Sequence, residues 1–415
     1  MRLFKFILLI VIFSALFWAW GFYTNPGRDA LRLQTTGVNS HFFVTPTESF
    51  QKYVSETTTM IKAAREKAGA NATDEVVAEN APAVLLPNPA TCKLANNQKN
   101  DKGILLIHGL LDSGYSMQQL GKFFQSQCFV VYVLLLPGHG TVPGDLLETT
   151  YSDWMKATDF GTTELAKHVN HVFIGGHSLG GLLATYEALR KPNLISGVIL
   201  FAPALKINSS LTPFIPVVYW LSRVIDHLQW WSVYEDTALT RYESMALNPV
   251  YQIAELEQKV QNKLAEKTLS MPLFIEQSEQ DDTIDATATA EFFKSCLNPL
   301  NRMLWFYEEG TYEPLADPRI QLIKSTLMDQ RILSMSHLSL TLPESDPIYG
   351  INGQYRDCLY YPEQSANWQQ CKTGKENYYG ELTKMNLRDH ILQRITFNPF
   401  YPFVLDRING FIKSF

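Results

Sequence analysis

The stretch GGHSLGG, residues 175–181, contains the residue pattern in this sequence that most directly suggests chemistry. Gly176, Ser178 and Gly180 match G-x-S-x-G, with an apolar run before the serine and a helix-like run after it. This context predicts a serine on a sharp turn between a strand and a helix, where bulkier neighbours would collide. Ser178 is therefore a candidate nucleophile, with the first N–H groups and the positive end of the helix directed at it.

A serine hydroxyl becomes nucleophilic at neutral pH only with a base and an acid beside it. In folds that place a serine on such a turn, an acid and then a histidine follow the serine later along the chain. Three histidines follow Ser178. His227 comes before the candidate acids and His390 lies in an irregular region near the C-terminus. His337 follows a short apolar stretch where a loop is expected, so we predict that His337 is the base.

The candidate acids are Glu279, Asp281, Asp282 and Asp285, which follow the apolar run MPLFIEQ. Asp285 precedes an alanine-rich helical stretch, a position where aspartate is a preferred N-cap. Asp281 lies where the chain is expected to leave the strand. We assign Asp281 as the acid, with Asp282 as the alternative. The acid would fix the His337 tautomer and stabilise the imidazolium.

Two backbone N–H groups are needed to stabilise the oxyanion of an acyl-transfer reaction. One is the N–H of Leu179, next to the nucleophile, and the other is the N–H of Leu110, in the loop IHGLLDSGYS after the first core strand. His108 and His139 flank glycines nearby. We expect these two histidines to hold loops by hydrogen bonds and to take no chemical role.

The elements that would position these residues follow from the apolar pattern. Short apolar runs without period-two alternation are separated by helix-like segments, which indicates a mostly parallel sheet covered by helices on both faces, an α/β fold. The carboxyl ends of its strands should form the edge that carries the site. The predicted strands are 103–109, 129–140, 171–176, 195–203, 271–277 and 302–309, and the predicted helices are 115–126, 151–168, 179–190 and 285–296.

The chain divides into three parts by composition. Residues 1–23 form an apolar segment, 24–100 a linker with an N-terminal helix, and 101–415 one α/β domain. An aromatic-rich stretch at about 205–268 interrupts the strand and helix pattern and is predicted to be an inserted helical cap with an apolar underside. A second irregular stretch, at about 346–397, precedes a final helix.

Several motifs together resemble one family. LLIHGLLDSGYSMQQLGKFF, LLLPGHGTVPGDL, YSDW, GGHSLGG and QDDTIDATATAEFF occur in the order found in bacterial carboxylesterases and monoacylglycerol-lipase-like serine hydrolases of the α/β-hydrolase superfamily. The resemblance covers roughly residues 100–340. It implies the α/β-hydrolase fold, ester hydrolysis through an acyl-enzyme and the triad Ser178, Asp281 and His337. The long approach to His337 and the segment 346–397 depart from these relatives.

The N-terminal segment predicts export. Arg2 and Lys5 precede an uncharged apolar run over residues 6–23, and this order keeps the N-terminus in the cytoplasm with the rest exported. We predict an uncleaved membrane anchor, with the catalytic domain on the periplasmic or extracellular side. Secretion after signal cleavage is the alternative. The net charge of −6 argues against a nucleic-acid partner.

Five cysteines fit an exported protein. Proximity in the sequence and in the predicted strands favours the bridges Cys92–Cys128 and Cys358–Cys371, with Cys296 free. Five unpaired thiols are the alternative. The sequence contains no CxxC motif and no Cys/His pair at the spacing of metal ligands, so no metal site is predicted. The proposed chemistry needs no cofactor.

The sequence favours a hydrolase of small-molecule or lipid carboxylic esters and makes no prediction of oligomeric state. A thioesterase, an amidase or a serine aminopeptidase would use the same triad. An aminopeptidase would need acidic groups in the cap, and Glu235, Asp236 and Glu243 are available there. A non-catalytic binding module is the remaining alternative, although such proteins usually lack a triad member and none is lost here.

Overall fold

The computed structural model describes residues 30–39, 41–42, 48–92, 99–208, 214–308 and 317–414. The predicted N-terminal anchor, residues 1–23, lies outside these residues. Among the helices that are described, none has the length and apolar character needed to cross a membrane.

The strands reproduce the apolar runs of the sequence closely. The principal strands are β1 (Ala83–Leu85), β2 (Asn100–Ile107), β3 (Phe129–Leu134), β4 (Val169–His177), β5 (Ile195–Phe201), β8 (Leu273–Ser278), β9 (Arg302–Tyr307) and β10 (Ile320–Lys324). They form one sheet in the order β1-β3-β2-β4-β5-β8-β9-β10. Every neighbouring pair is parallel except β1 and β3. The predicted α/β-hydrolase fold is confirmed.

The helices alternate with these strands. They are α1 (Phe50–Lys67), α2 (Asp74–Asn80), α3 (Tyr115–Ser126), α4 (Tyr151–Ala166), α5 (Leu179–Arg190), α6 (Ile215–Ser222), α7 (Leu247–Glu266), α8 (Ala286–Ser295), α9 (Ala366–Thr373), α10 (Lys384–Asp389) and α11 (Tyr401–Ile412). The N-terminal ends of α4 and α8 have side-chain caps, Thr150 and Asp285. The capping role expected of Asp285 is therefore present.

Two strands of the sheet lie where the sequence analysis expected none. β1 falls within the region assigned to the linker, and β10 falls in the long approach to His337. Both are edge strands of five residues or fewer. Among the residues of these two strands, only Ile320 is buried. Their apolar signal is weak because an edge strand packs against one neighbour only.

The chain between β5 and β8 forms the insertion over the strand ends. It contains α6, α7 and a short antiparallel pair, β6 (Trp230–Ser232) and β7 (Met245–Ala246). Trp230 is buried against Leu33 and Ala246, whereas Trp220 on α6 is 64% exposed. Only part of the aromatic content of the insertion therefore packs into a core.

The segment 346–397 contains short elements held by a disulfide. α9, α10 and a parallel pair, β11 (Tyr378–Gly380) and β12 (Leu392–Arg394), lie within it. Cys358 and Cys371 are bonded to each other there, and Cys92 is bonded to Cys128. Both predicted disulfides are present, and Cys296 is free and buried.

Candidate active site

Ser178 lies at the junction between β4 and α5 in a strained backbone conformation. Its φ is 53° and its ψ is −115°, a region that residues with a side chain rarely occupy. Such a conformation costs about 1–3 kcal/mol and persists only where the surroundings enforce it. Here the Ser178 N–H donates to the Phe201 carbonyl, and the Ser178 carbonyl accepts from Leu182 and Ala204. The turn thus holds the serine side chain at the carboxyl edge of the sheet.

The flanking glycines are required by close backbone contacts. A Cβ on Gly176 would lie 2.3 Å from the carbonyl carbon of Gly180, and one on Gly180 would lie 2.1 Å from the Ile107 oxygen. A Cβ on Gly181 would lie 2.9 Å from the Cα of Pro203. The pattern G-x-S-x-G is thus a steric requirement of this turn.

The structure brings Ser178, His337 and Asp281 together. His337 Nε2 lies 2.9 Å from Ser178 Oγ, and His337 Nδ1 lies 2.7 Å from Asp281 Oδ2. An ionised carboxylate only accepts hydrogen bonds, so Nδ1–H donates to Asp281 and Nε2 accepts from the serine hydroxyl. All three side chains are buried. This is the arrangement in which a histidine can remove the proton from a serine.

Asp281 is held in its ionised form. Burial alone would raise the pKa of its carboxyl, but the His337 ring and the N–H groups of Thr283 and Ile284 keep that pKa below its ordinary value. Both N–H groups donate to Asp281 Oδ1 over 2.9 Å. The alternative acid, Asp282, pairs with Arg394 at 2.7 Å.

The two predicted oxyanion donors lie beside the serine. Leu179 is the first residue of α5, and an added Cβ on Gly109, the neighbour of Leu110, would lie 3.3 Å from the Ser178 Cβ. Neither Leu110 N–H nor Leu179 N–H donates to any residue that the structure describes. Both groups are therefore available to an oxygen atom placed next to Ser178.

The other histidines near the strand ends are buried, neutral and structural. Leu136 N–H donates to His108 Nε2 at 3.0 Å, and His108 Nδ1–H donates to the Gly109 carbonyl. His177 Nε2–H donates to the His337 carbonyl at 2.9 Å. Burial lowers the pKa of His139 to about 4 and that of His177 to about 3. These rings hold loops, as expected for His108 and His139.

A charged network behind His337 was not predicted from the sequence. The His337 N–H donates to Glu381 Oε2 at 3.0 Å, and Arg394 Nε donates to Glu381 Oε1 at 2.9 Å. Arg394 also donates to Asp282 and Thr283. Burial raises the pKa of the Glu381 carboxyl, and Arg394 opposes that shift. Glu381 and Arg394 come from segment 346–397, which no local pattern links to the site.

Three carboxylates meet in this network, which raises the question of a metal ion. Oxygen atoms of Asp281, Asp282 and Glu381 lie within 4.8 Å of one another. Arg394 donates to Asp282 and Glu381, and His337 donates to Asp281 and Glu381. Side chains and N–H groups of the protein thus already occupy the oxygens that would bind a cation.

A cavity of about 210 Å³ opens at Ser178 and His337. Part of its lining is apolar and comes from the insertion, namely Met245, Val250 and Ile253. Its polar lining includes Asp112, Arg241 and Arg394, which the sequence analysis did not select. The cap acids considered there do not line it. Asp236 pairs with Arg32, and Glu243 accepts from Thr237, Ala238 and Tyr355.

Comparison with known proteins identifies the family of this chain. Residues 98–319, more than half of the chain, match the family described as Serine aminopeptidase, S33 (Hydrolase_4). The chain belongs to this family. Its eight-stranded, mostly parallel sheet with helices is the fold of an α/β hydrolase.

Two relatives of this S33-family chain are ester hydrolases by name. It is 33% identical to the thermostable monoacylglycerol lipase of Bacillus sp. (strain H-257) over 92 residues, 22% of the chain and 37% of that lipase. It is 22% identical to the carboxylesterase of Bacillus subtilis (strain 168) over 235 residues, 55% of the chain and 89% of that enzyme. These relatives support an ester hydrolase of the lipase or carboxylesterase type.

One solved structure is similar to part of the S33-family chain. The monoacylglycerol lipase of Paleococcus ferrophilus is 21% identical, with a TM-score of 0.43, and the alignment covers 57% of this chain and 91% of that one. The segment 346–397 follows the end of the family match at residue 319.

Proposed function

We propose that the protein is a serine hydrolase that cleaves carboxylic esters through an acyl-enzyme, with Ser178, His337 and Asp281 as its catalytic triad. The observation that carries the proposal is the continuous hydrogen-bond chain from Ser178 Oγ through the His337 ring to Asp281, with separations of 2.9 and 2.7 Å. Its substrate is a small-molecule or lipid ester with an acyl or alcohol group that fits the cavity beside Ser178.

The reaction follows from this geometry in two steps. Ser178 Oγ attacks the ester carbonyl carbon while His337 Nε2 takes the hydroxyl proton, and Asp281 stabilises the imidazolium. The N–H groups of Leu110 and Leu179 stabilise the oxyanion. His337 then gives the proton to the leaving alcohol oxygen as the C–O bond breaks.

Water completes the cycle at the acyl-enzyme. Its proton passes to His337 Nε2 while its oxygen attacks the acyl carbon, and the proton returns to Ser178 Oγ as the acid leaves. The strained backbone at Ser178 supports this role, because strain of this kind concentrates at functional sites.

The test is labelling and turnover of the full chain. Wild-type protein is expected to react with a fluorophosphonate probe and to hydrolyse p-nitrophenyl esters, and Ser178→Ala is expected to lose both by about 10⁴-fold or more. A wild type that the probe does not label, or equal turnover by wild type and Ser178→Ala, would contradict the proposal.

A serine aminopeptidase is the second candidate, because the family description names that activity and Asp112 places a carboxyl in the cavity lining. An ammonium group of a peptide would need such an acid. Comparing amino-acid p-nitroanilides with p-nitrophenyl esters separates the two. Faster turnover of the p-nitroanilides would favour the peptidase.

We further propose that the domain works on the exported side of a membrane, anchored by residues 1–23 or secreted after cleavage there. The two disulfides support an oxidising compartment, where such bonds persist. N-terminal sequencing of the mature protein from membrane and medium fractions tests this, and recovery of the full chain in the cytoplasm alone would contradict it.

A further inference from the structure

Two arginines line the cavity at Ser178, and they differ in how their charges are balanced. Arg394 donates to Glu381, Asp282 and Thr283. Arg241 makes no hydrogen bond through its side chain to any residue that the structure describes, and no described carboxylate lies within 4.0 Å of its nitrogens. The Arg241 guanidinium thus has nearby carboxyl groups but no described hydrogen-bond partner.

An unpaired arginine at this position has an energetic cost. Arg241 is partly buried, and burial opposes its charged form. A desolvated charge is normally paired or hydrogen-bonded. The charged and titratable groups around it are Asp112, Asp357, Tyr349, Tyr355 and His177. These groups hold the guanidinium charged without occupying its donors, and Arg241 lines the cavity, so its N–H groups remain available for a ligand.

The backbone on both sides of Arg241 is fixed. Tyr242 N–H donates to the Leu111 carbonyl at 2.7 Å, and Tyr242 Oη–H donates to the Gly138 carbonyl. On the other side, the Thr240 and Tyr349 hydroxyls lie 2.7 Å apart. Arg241 is thereby anchored to the loop of the oxyanion donor Leu110, within the same cavity as the nucleophile. A fixed backbone at Arg241 lowers the entropy that is lost when its side chain binds a ligand.

A small recess continues from the cavity beside Arg241. It has a volume of about 20 Å³ and shares Asp112, His177, Arg241 and Leu338 with the cavity. The remaining lining includes four side chains with hydroxyl groups, Ser116, Thr341, Tyr349 and Thr396. A recess of this size holds about one water-sized group, which suits a single oxygen of a carboxylate or phosphate.

We propose that Arg241 binds an anionic group of the substrate, a carboxylate or a phosphate, so that the enzyme prefers esters carrying a compact oxyanion a few bonds from the scissile carbonyl. This inference rests on the proposed function of Ser178 and narrows its substrate class. The cavity of about 210 Å³ favours a short ester. Guanidinium groups recognise carboxylates and phosphates through paired N–H donors.

The test compares matched esters that differ only in their terminal charge. p-Nitrophenyl hexanoate, p-nitrophenyl hydrogen adipate and p-nitrophenyl 5-(trimethylammonio)pentanoate are neutral, anionic and cationic. Wild-type protein is expected to show the highest kcat/KM with the adipate ester. Arg241→Gln is expected to lower kcat/KM for the adipate ester about 10- to 100-fold more than for the hexanoate ester, mainly through KM, since the anion lies away from the reacting atoms.

Two further variants separate binding from a structural role. Arg241→Lys keeps the charge and is expected to keep part of the preference for the adipate ester. Arg223→Gln removes the same charge from an exposed position in the same insertion and is expected to leave the ratio of the two esters as in wild type. Equal losses on both esters in Arg241→Gln would overturn the inference.

The source of the anion is distinguished by competition. Butyrate and methyl phosphate are added against the hexanoate ester, and the one that inhibits wild type identifies the preferred oxyanion. That inhibition is expected to be at least about tenfold weaker in Arg241→Gln. Preference of wild type for the hexanoate or the cationic ester would overturn this inference alone, because ester turnover still depends on Ser178. Absence of turnover and of probe labelling would instead overturn the proposed function.

Discussion

The turn at Ser178 and the segment 346–397 both contact the backbone of His337, but they do so with different kinds of group. On one side, His177 Nε2–H donates to the His337 carbonyl at 2.9 Å. On the other side, the His337 N–H donates to Glu381 at 3.0 Å. The first contact comes from a neutral ring and the second comes from a carboxylate paired with Arg394. His337 is therefore held at its carbonyl by a neutral ring and at its N–H by a carboxylate that is paired with an arginine.

This difference shows how a standard fold has acquired additional support for one loop. The contact from His177 belongs to the G-x-S-x-G turn itself and needs no other segment. The contact from Glu381 needs segment 346–397 to return to the site, 44 residues after His337. A buried ion pair costs free energy unless its geometry is good, and its value is often in fixing one arrangement. We infer that this segment holds the His337 loop in place.

The largest expected effect separates the two aspartates that the sequence left as alternatives. Asp281→Asn is expected to lower kcat about 10⁴-fold, because the histidine would lose the acceptor that fixes its tautomer. Asp282→Asn is expected to lower kcat less than about tenfold, because Asp282 contacts Arg394 and not the ring. Steady-state kinetics on p-nitrophenyl hexanoate measures both. A larger loss at Asp282 would reverse our assignment.

The next effect tests the ionic side of the comparison. Glu381→Gln leaves Arg394 without its buried carboxylate partner, so we expect the free energy of unfolding to fall by about 3 kcal/mol. Urea denaturation measures this loss. The matched control is Asp389→Asn, which breaks an exposed pair with Arg388 in the same segment and is expected to cause no measurable change.

A double-mutant cycle shows whether Glu381 and Arg394 act as a pair. Glu381→Gln, Arg394→Gln and the double variant are expected to give a coupling energy of about 1–3 kcal/mol. Strictly additive losses would mean that the two side chains stabilise the segment independently. The Glu381–Arg394 pair would then not account for how the His337 loop is held.

The same contrast explains how much the sequence predicts. The strands, the turn and the order Ser178, Asp281, His337 leave a local signal, because each depends on residue types at short spacing or at a strand end. The predicted glycine roles have the same basis, since Gly176 and Gly180 face backbone atoms a few residues away or at the neighbouring strand end. Local patterns thus predicted the fold and the three central side chains.

Contacts across long stretches of sequence left no such signal. Arg394 reaches Asp282 over 112 residues, and Arg241 enters the cavity from an insertion whose fold depends on packing against two other loops. A single charged residue in a polar stretch is indistinguishable from a solvated one until the chain is folded. For the same reason the edge strands β1 and β10, with little buried surface, were not expected.

The smallest expected effect is on how the free energy of unfolding depends on pH, because the buried histidines and the buried glutamates act in opposite directions. His108, His139 and His177 are buried, with pKa values below those of the unfolded chain, so the folded state binds fewer protons and stability falls as the pH drops below about 6.5. Burial raises the pKa of Glu276 and Glu381, so the stability that these two groups contribute to the folded protein falls as the pH rises above about 4.5. The histidine and glutamate contributions therefore have opposite signs between these pH values.

The folded state holds the Glu381 proton in this pH range, so this carboxyl alone opposes acid destabilisation by about 1.4 kcal/mol per pH unit on acidification from pH 6 to 5. Glu381→Gln removes this opposing contribution, so the free energy of unfolding of the variant should fall more steeply on acidification than that of wild type, by about 1.4 kcal/mol per pH unit. Urea denaturation at pH 6, 5.5 and 5 measures both slopes, with Asp389→Asn as the control. A slope in Glu381→Gln equal to that of wild type would mean that the Glu381 carboxyl stays ionised throughout, and that its contact with His337 does not respond to acid in this range.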